Sequence, residues 1–307
     1  MEYLLLIIGI VLLVLGGDFL VKSAIGIASR FNVFPLLIGV TIVSFGTSAP
    51  ELFVSLQATL DGSSAIAIGN VVGSNIANIG LVLGLTVCIR PVVVNRKKYM
   101  TSWLVMLISS LMFFGFSMDG EIGFFEGLFF IAGLLAFISI SISYMKNDEE
   151  SNDLNTAIKT PWIIVYLVLG ALGLQFGSEL LISNAVVIAS KLGVSQFIIG
   201  VSVVALGTSL PELATSIIAS YRGQNSISLG NLLGSNVFNV FAVLGITSLV
   251  KPIPVSYFLT YIDLPVMIGF VILVGLFMFL GKKMGIVEGL ALVVAYFTYM
   301  AYSFGFL

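Results

Sequence analysis

The chain has 307 residues, of which 59% are hydrophobic and 9% charged, with a formal net charge of −2. Its mean hydropathy of +1.15 is more apolar surface than a water-soluble fold can hide, so composition calls for a multi-span membrane protein. With no histidine and Cys88 as the one cysteine, internal disulfides and nitrogen–sulfur sites for zinc, copper or haem are excluded, leaving oxygen ligands for hard cations. The charge balance carries no signal for nucleic acid.

Apolar runs set against their Gly, Pro and charged interruptions predict an all-α integral membrane protein of ten transmembrane helices. They fall near residues 3–28, 33–60, 66–89, 100–117, 121–145, 160–189, 194–220, 225–249, 259–281 and 285–306. The first, about Leu4 to Ile27, is preceded by Glu2 rather than a basic region, so it reads as a span and not as a removable signal. Between the fifth and sixth runs lies a polar tract from Lys146 to Lys159 with four acids, Asp148, Glu149, Glu150 and Asp153. It reads as a short solvated linker (147–159) between two halves, 1–146 and 160–307, with no room for a soluble domain.

Orientation follows from the basic residues. With the N-terminus outside, eleven of the thirteen Lys and Arg fall on the cytoplasmic side and Lys191 and Lys251 outside. Both termini are then extracellular, with the linker in the cytoplasm of a multi-pass cell-membrane protein.

The halves repeat at a constant offset. Glu51 and Glu212 differ by 161, and so do Thr47 and Thr208, Ser74 and Ser235, Asn78 and Asn239, and Asp18 and Glu179. Five spans per half is an odd number, so the second half enters the membrane from the opposite side. Inverted repeats of this kind place a substrate site near the midplane, where discontinuous helices meet.

Two duplicated motifs carry the chemistry. The stretch Gly39 to Glu51 is interrupted in mid-span by Gly46, Thr47, Ser48 and Pro50 before its acid, and Gly200 to Glu212 does the same with Gly207, Thr208, Ser209 and Pro211. Proline lacks the N–H that would bond the turn before it, so backbone carbonyls are freed at membrane depth. A proline kink with Ser/Thr hydroxyls filling the gap explains one such copy. Two copies, each with an intramembrane Glu, point to one shared site.

The second motif runs from Gly69 to Asn78 and again from Gly230 to Asn239. Its Gly-x-x-x-Gly glycines, 69 and 73, 230 and 234, serve close helix packing. Ser74 with Asn78, and Ser235 with Asn239, share a helix face and need polar company, which Glu51 and Glu212 supply. For Asp18 and Glu179 the readings are lining an access path, pairing with a nearby Lys, or capping a neighbouring helix. Asp263 and Glu288 fall near span ends, within reach of headgroups or water.

Two carboxylates converging in low dielectric repel each other or take up protons. One Ca²⁺, which takes six to eight oxygens, neutralises them as a pair, and so do two Na⁺. A site filled by either ion, but never left charged and empty, is the physical basis of an exchanger.

On these residues the chain resembles the cation/Ca²⁺ exchanger superfamily, and most closely the prokaryotic Na⁺/Ca²⁺ exchanger branch. The resemblance covers essentially the whole chain, and the two family signature regions match Gly39–Asn78 and Gly200–Asn239. It implies a core of spans 2, 3, 7 and 8, a sliding pair of spans 1 and 6, and Ca²⁺ held by Glu51 and Glu212 with carbonyls near Thr47 and Thr208. It also implies flanking Na⁺ sites using Ser48, Ser74, Ser209 and Ser235 with backbone oxygens at Ser44 and Ala205, and Asn78 and Asn239 at the middle of the cluster. Many relatives, potassium-dependent ones included, carry Asp at the position of Asn239, so the match is to the potassium-independent pattern. The stoichiometry implied is 3 Na⁺ per Ca²⁺, moving one net charge per cycle (3 − 2 = 1). The expected partners are these two ions as substrates and the lipid bilayer, with no cofactor and no enzymatic activity. An H⁺/Ca²⁺ antiporter and a passive cation channel are the alternatives, and an intramembrane protease fits poorly because no Gly-x-Gly-Asp pattern accompanies the acids.

Overall fold

The computed structural model describes residues 1–145, 158–193, 207–281 and 283–303. Ten helices follow one another: α1 (Glu2–Phe31), α2 (Pro35–Leu60), α3 (Ser64–Ile89), α4 (Arg96–Asp119), α5 (Phe124–Met145), α6 (Thr160–Lys191), α7 (Leu210–Tyr221), α8 (Asn225–Val250), α9 (Leu259–Leu280) and α10 (Ile286–Ser303). All but α7 are long and apolar enough to cross a membrane, among the described residues. The first part of the seventh predicted span, 194–206, lies outside the described residues, as does most of the linker.

Local sequence sets the helix ends. α1 closes on Asn32, left-handed at φ 50°, whose N–H bonds back to Ala28 and Ser29, and Pro35 then opens α2. Within the spans, the expected discontinuity takes a specific form. π-Helical turns occupy Gly39–Val43 in α2, Asn78–Leu83 in α3, Asn239–Leu244 in α8 and Leu259–Asp263 in α9. The α3 and α8 segments obey the repeat offset (239 − 78 = 161, 244 − 83 = 161). A π-turn shifts the phase of the helix without ending it, and such turns concentrate at functional sites.

α1 and α6 lie backbone to backbone. A Cβ added at Gly16 would sit 2.6 Å from Leu174 N, and one at Gly170 would sit 2.7 Å from Leu20 N, so only glycine admits this approach. Glu2 and Lys191 pair at 2.8 Å at one end, and Ser23 Oγ donates to Ile163 O at 3.0 Å near the other. α3 and α8 are the most enclosed spans. α8 packs on α2 through its glycines: a Cβ at Gly230 would come 3.0 Å from Gly39 Cα, and one at Gly234 2.7 Å from Val40 Cα. Cβ atoms at Gly69 and Gly73 meet nothing within 4 Å among the described residues. The repeat images of Gly39 and Val40 are Gly200 and Val201, which lie outside those residues.

Four two-residue strands, which hydropathy does not foretell, fasten the loops. β1 (Val92–Val93) pairs antiparallel with β4 (Lys283–Met284), and β2 (Glu121–Ile122) with β3 (Ile253–Pro254). Each ribbon joins the two halves, and the repeat maps one onto the other (253 − 92 = 161, 284 − 122 = 162, one residue having been inserted).

Candidate functional site

Glu51 on α2 and Glu212 on α7 each follow a proline, and both are 0% exposed. The two copies solve the proline problem differently. Pro50 sits inside a continuous helix, and the irregularity is displaced to the π-turn at Gly39–Val43. Pro211 sits in the first turn of α7, and the chain turns at Thr208 and Ser209 just before it. In that position proline's missing N–H leaves no helical bond unmade.

The hydroxyls cross between the halves. Thr47 Oγ1 lies 3.0 Å from Asn231 Oδ1 and 3.3 Å from its own helix's Ser44 O, either of which takes its proton, and 3.3 Å from Ser235 Oγ. The repeat image is Thr208 Oγ1, 3.3 Å from Ser74 Oγ. Ser48 Oγ donates to Glu212 Oε1 at 3.2 Å. Ser74 lies beside Glu51, and Thr47 and Ser235 lie beside Glu212. Ser44 is buried, its Oγ 3.3 Å from Thr41 O. The structure thus brings Glu51, Glu212, Thr47, Thr208, Ser48, Ser74, Ser235 and the Ser44 carbonyl into one cluster, while Ala205 lies outside the described residues.

Among the described residues several buried polar atoms have no hydrogen-bond partner, including both carboxylate oxygens of Glu51, Glu212 Oε2, Ser209 Oγ, Asn239 Oδ1, and both amide atoms of Asn78. Leaving one such group unmet costs about 1–3 kcal/mol, and more for a charged one. Gathered around two carboxylates, such groups are what a bound cation would complete. Among the described residues no three His, Cys, Asp or Glu gather as a metal cluster. The donor set is therefore two carboxylates supplemented by hydroxyl, amide and carbonyl oxygens, which suits a hard cation.

Sequence reasoning passed over a supporting layer. Asn70 Nδ2 donates to Ser55 Oγ at 3.0 Å and lies 3.3 Å from Glu51 O; Asn231 Nδ2 donates to Ser216 Oγ at 3.1 Å. Asn75 accepts from Asn239 Nδ2 at 3.0 Å. Asn70, Ser55 and Asn75 have images at Asn231, Ser216 and Asn236 (231 − 70 = 161, 216 − 55 = 161, 236 − 75 = 161), which was the available signal. Of the other acids, Asp18 pairs with Lys22 at 2.8 Å and with Arg222, which favours pairing over an access path. Glu288 accepts from the Gly285 N–H at 2.8 Å and Asp263 from Tyr299 Oη at 2.9 Å, and both stay partly exposed near the span ends.

Ten helices around an oxygen cluster of this composition define the class, a multi-pass membrane protein of the cation-antiporter type. The family model described as "Sodium/calcium exchanger protein" matches residues 1–143 and 162–305, and the chain belongs to that family. It is 32% identical to the sodium/calcium exchanger MaX1 of Methanosarcina acetivorans over 99% of this chain and 98% of that one. It is 34% identical to the inner membrane protein YrbG of Escherichia coli over 81% of this chain and 79% of the relative. Among solved structures, the sodium-calcium exchanger NCX_Mj soaked with zero Na⁺ and Ca²⁺ superposes with a TM-score of 0.86 at 30% identity, covering 98% of both chains. The same exchanger soaked with 2.5 mM Na⁺ and 0.1 mM Ca²⁺ gives 0.83 at 30% identity, over 98% of this chain and 97% of that one.

Proposed function

We propose that this chain is an Na⁺/Ca²⁺ antiporter, a transporter and not an enzyme, working by alternating access to one central site. The carrying observation is the pair of fully buried glutamates, Glu51 and Glu212, three of whose four oxygens have no partner among the described residues. Family membership and the names of its relatives support the choice of ions.

In this reading Ca²⁺ binds between the two carboxylates, with carbonyls near Thr47 and Thr208. Na⁺ binds at Ser48, Ser74, Ser209 and Ser235 with backbone oxygens of Ser44 and Ala205, and Asn78 and Asn239 stand between. One Ca²⁺ cancels the carboxylate pair and three Na⁺ outweigh it by one charge, whereas the uncompensated pair is too costly to carry across low dielectric. That is what obliges exchange and forbids leak.

Three Na⁺ against one Ca²⁺ moves one net charge, worth about 2.3 kcal/mol per 100 mV. Asn239, neutral where potassium-dependent relatives have Asp, makes K⁺ dispensable. Both termini lie outside, as the basic residues direct.

In proteoliposomes an outward Na⁺ gradient should drive ⁴⁵Ca²⁺ uptake with no K⁺ present. Uptake driven by a pH gradient and indifferent to Na⁺ would overturn this reading.

A further inference from the structure

Four amides stand where α3 meets α8. Asn75 and Asn236 are repeat images (236 − 75 = 161), as are Asn78 and Asn239 (239 − 78 = 161), and all four are buried. Their hydrogen bonds differ. Asn75 Nδ2 lies 3.3 Å from the backbone carbonyl of Asn236 and donates to it. Asn239 Nδ2 donates to Asn75 Oδ1 at 3.0 Å. Asn236 turns instead to its own helix and donates to Leu232 O at 2.7 Å, and among the described residues Asn78 has no partner through either side-chain atom.

This row of amides has a direction fixed at its start. A backbone carbonyl can only accept, so the Asn75 atom facing it is the NH₂. Asn75 Oδ1 is thereby the atom left for Asn239, and an amide oxygen also only accepts. Asn239 must turn its nitrogen toward Asn75 and its own oxygen away. That oxygen is buried without a partner among the described residues, as are three of the four oxygens of Glu51 and Glu212. A carbonyl oxygen so presented is a ligand for a hard cation, whereas an NH₂ in its place would repel one.

We propose that Asn75 is a positioning residue for ion binding: it holds the Asn239 amide so that oxygen, not nitrogen, faces the transported cation. Asn75 itself touches no ion. Asn78 has no such anchor, so the two repeat-related amides serve the site unequally. This proposal rests on the antiporter reading.

The test is ⁴⁵Ca²⁺ equilibrium binding to the purified full chain in detergent, which requires no transport. Four proteins are compared at alkaline pH: wild type, Asn75→Leu, Asn239→Asp and the double variant. A carboxylate carries oxygen at both ends and has no wrong orientation. Losing Asn75 therefore weakens Ca²⁺ binding about tenfold when residue 239 is Asn, the worth of one buried hydrogen bond. When residue 239 is Asp, the same loss changes binding less than about twofold, because nothing is left to orient. Equal losses in both backgrounds would mean that Asn75 only supports packing, and no loss in either would mean that it does not act on the site; both results overturn the proposal. A wild-type chain that binds no Ca²⁺ would bring down the antiporter reading and the proposal with it. Should Asn75→Leu not fold, Asn75→Ala takes its place in the same four-way comparison with the same criterion.

Discussion

Replacing Glu51 by Gln separates what the ion contributes from what the fold contributes. The two side chains are nearly the same size, and among the described residues neither Glu51 oxygen has a hydrogen-bond partner to lose. At an effective dielectric of about 20, unit charges about 4 Å apart attract by about 4 kcal/mol, so one carboxylate holds a divalent cation by about 8 kcal/mol. The amide oxygen of Gln keeps part of this and the ion's hydration offsets more; halving the figure leaves about 4 kcal/mol, roughly a thousandfold in affinity. The ion-free fold moves the other way. Glu51→Gln removes one of two like charges from the interior, so the Ca²⁺-free variant should melt no lower than wild type. Differential scanning with and without Ca²⁺ reads both effects. At a hundred times its dissociation constant a ligand adds about 2.7 kcal/mol of stability, which wild type should show and Glu51→Gln should lack at the same Ca²⁺ concentration. Glu212→Gln should behave alike, although Ser48 Oγ keeps a hydrogen-bond partner there. Normal Ca²⁺ exchange by either variant would refute the reasoning.

Other consequences can be checked separately. Gly234→Ala puts a methyl group 2.5 Å from Ser44 Oγ and 2.7 Å from Val40 Cα; overpacking of this sort costs about 1–3 kcal/mol. Gly115→Ala, which meets nothing within 4 Å among the described residues, should gain up to about 1 kcal/mol of helix propensity; equal melting temperatures for the two would contradict the packing of α2 on α8. Asn239→Asp adds a third buried acid whose pKa burial and its neighbours raise, so it is neutral below that pKa and charged above it. Exchange by this variant should follow wild type at low pH and depart from it as pH rises, and an unchanged pH profile would count against a central place for residue 239. Arg222→Gln breaks the pairing with Asp18, in which Arg222 is 39% and Asp18 20% exposed; such pairs contribute about 0–1 kcal/mol, so a larger loss in denaturant titration would show a heavier role.

The helices and the acidic pair could be read from sequence because the membrane simplifies the physics. A span needs about 20 apolar residues, and an acid inside one has to be explained. Thus Glu51 and Glu212 stood out, and the predicted span 225–249 differs from α8 (Asn225–Val250) by one residue. The π-turns at Asn78–Leu83 and Asn239–Leu244 left no trace in hydropathy, because both sides of a π-turn remain apolar. Nor did β1 to β4, whose two-residue pairings depend on where loop ends meet. Asn70, Asn75, Asn231 and Asn236 had a signal in the 161 offset, but their role lies in which atom donates to which, and only geometry sets that. Asp18 was open among several readings until the fold brought Arg222 from the far half of the chain.

The central claim is that one carboxylate pair is compensated by either ion, and competition at equilibrium tests it most directly. Ca²⁺ binding to the purified chain should weaken steeply and cooperatively as Na⁺ is raised, with K⁺ having no effect, and both dependences should vanish in Glu51→Gln. Ca²⁺ binding that is indifferent to Na⁺ would contradict the account.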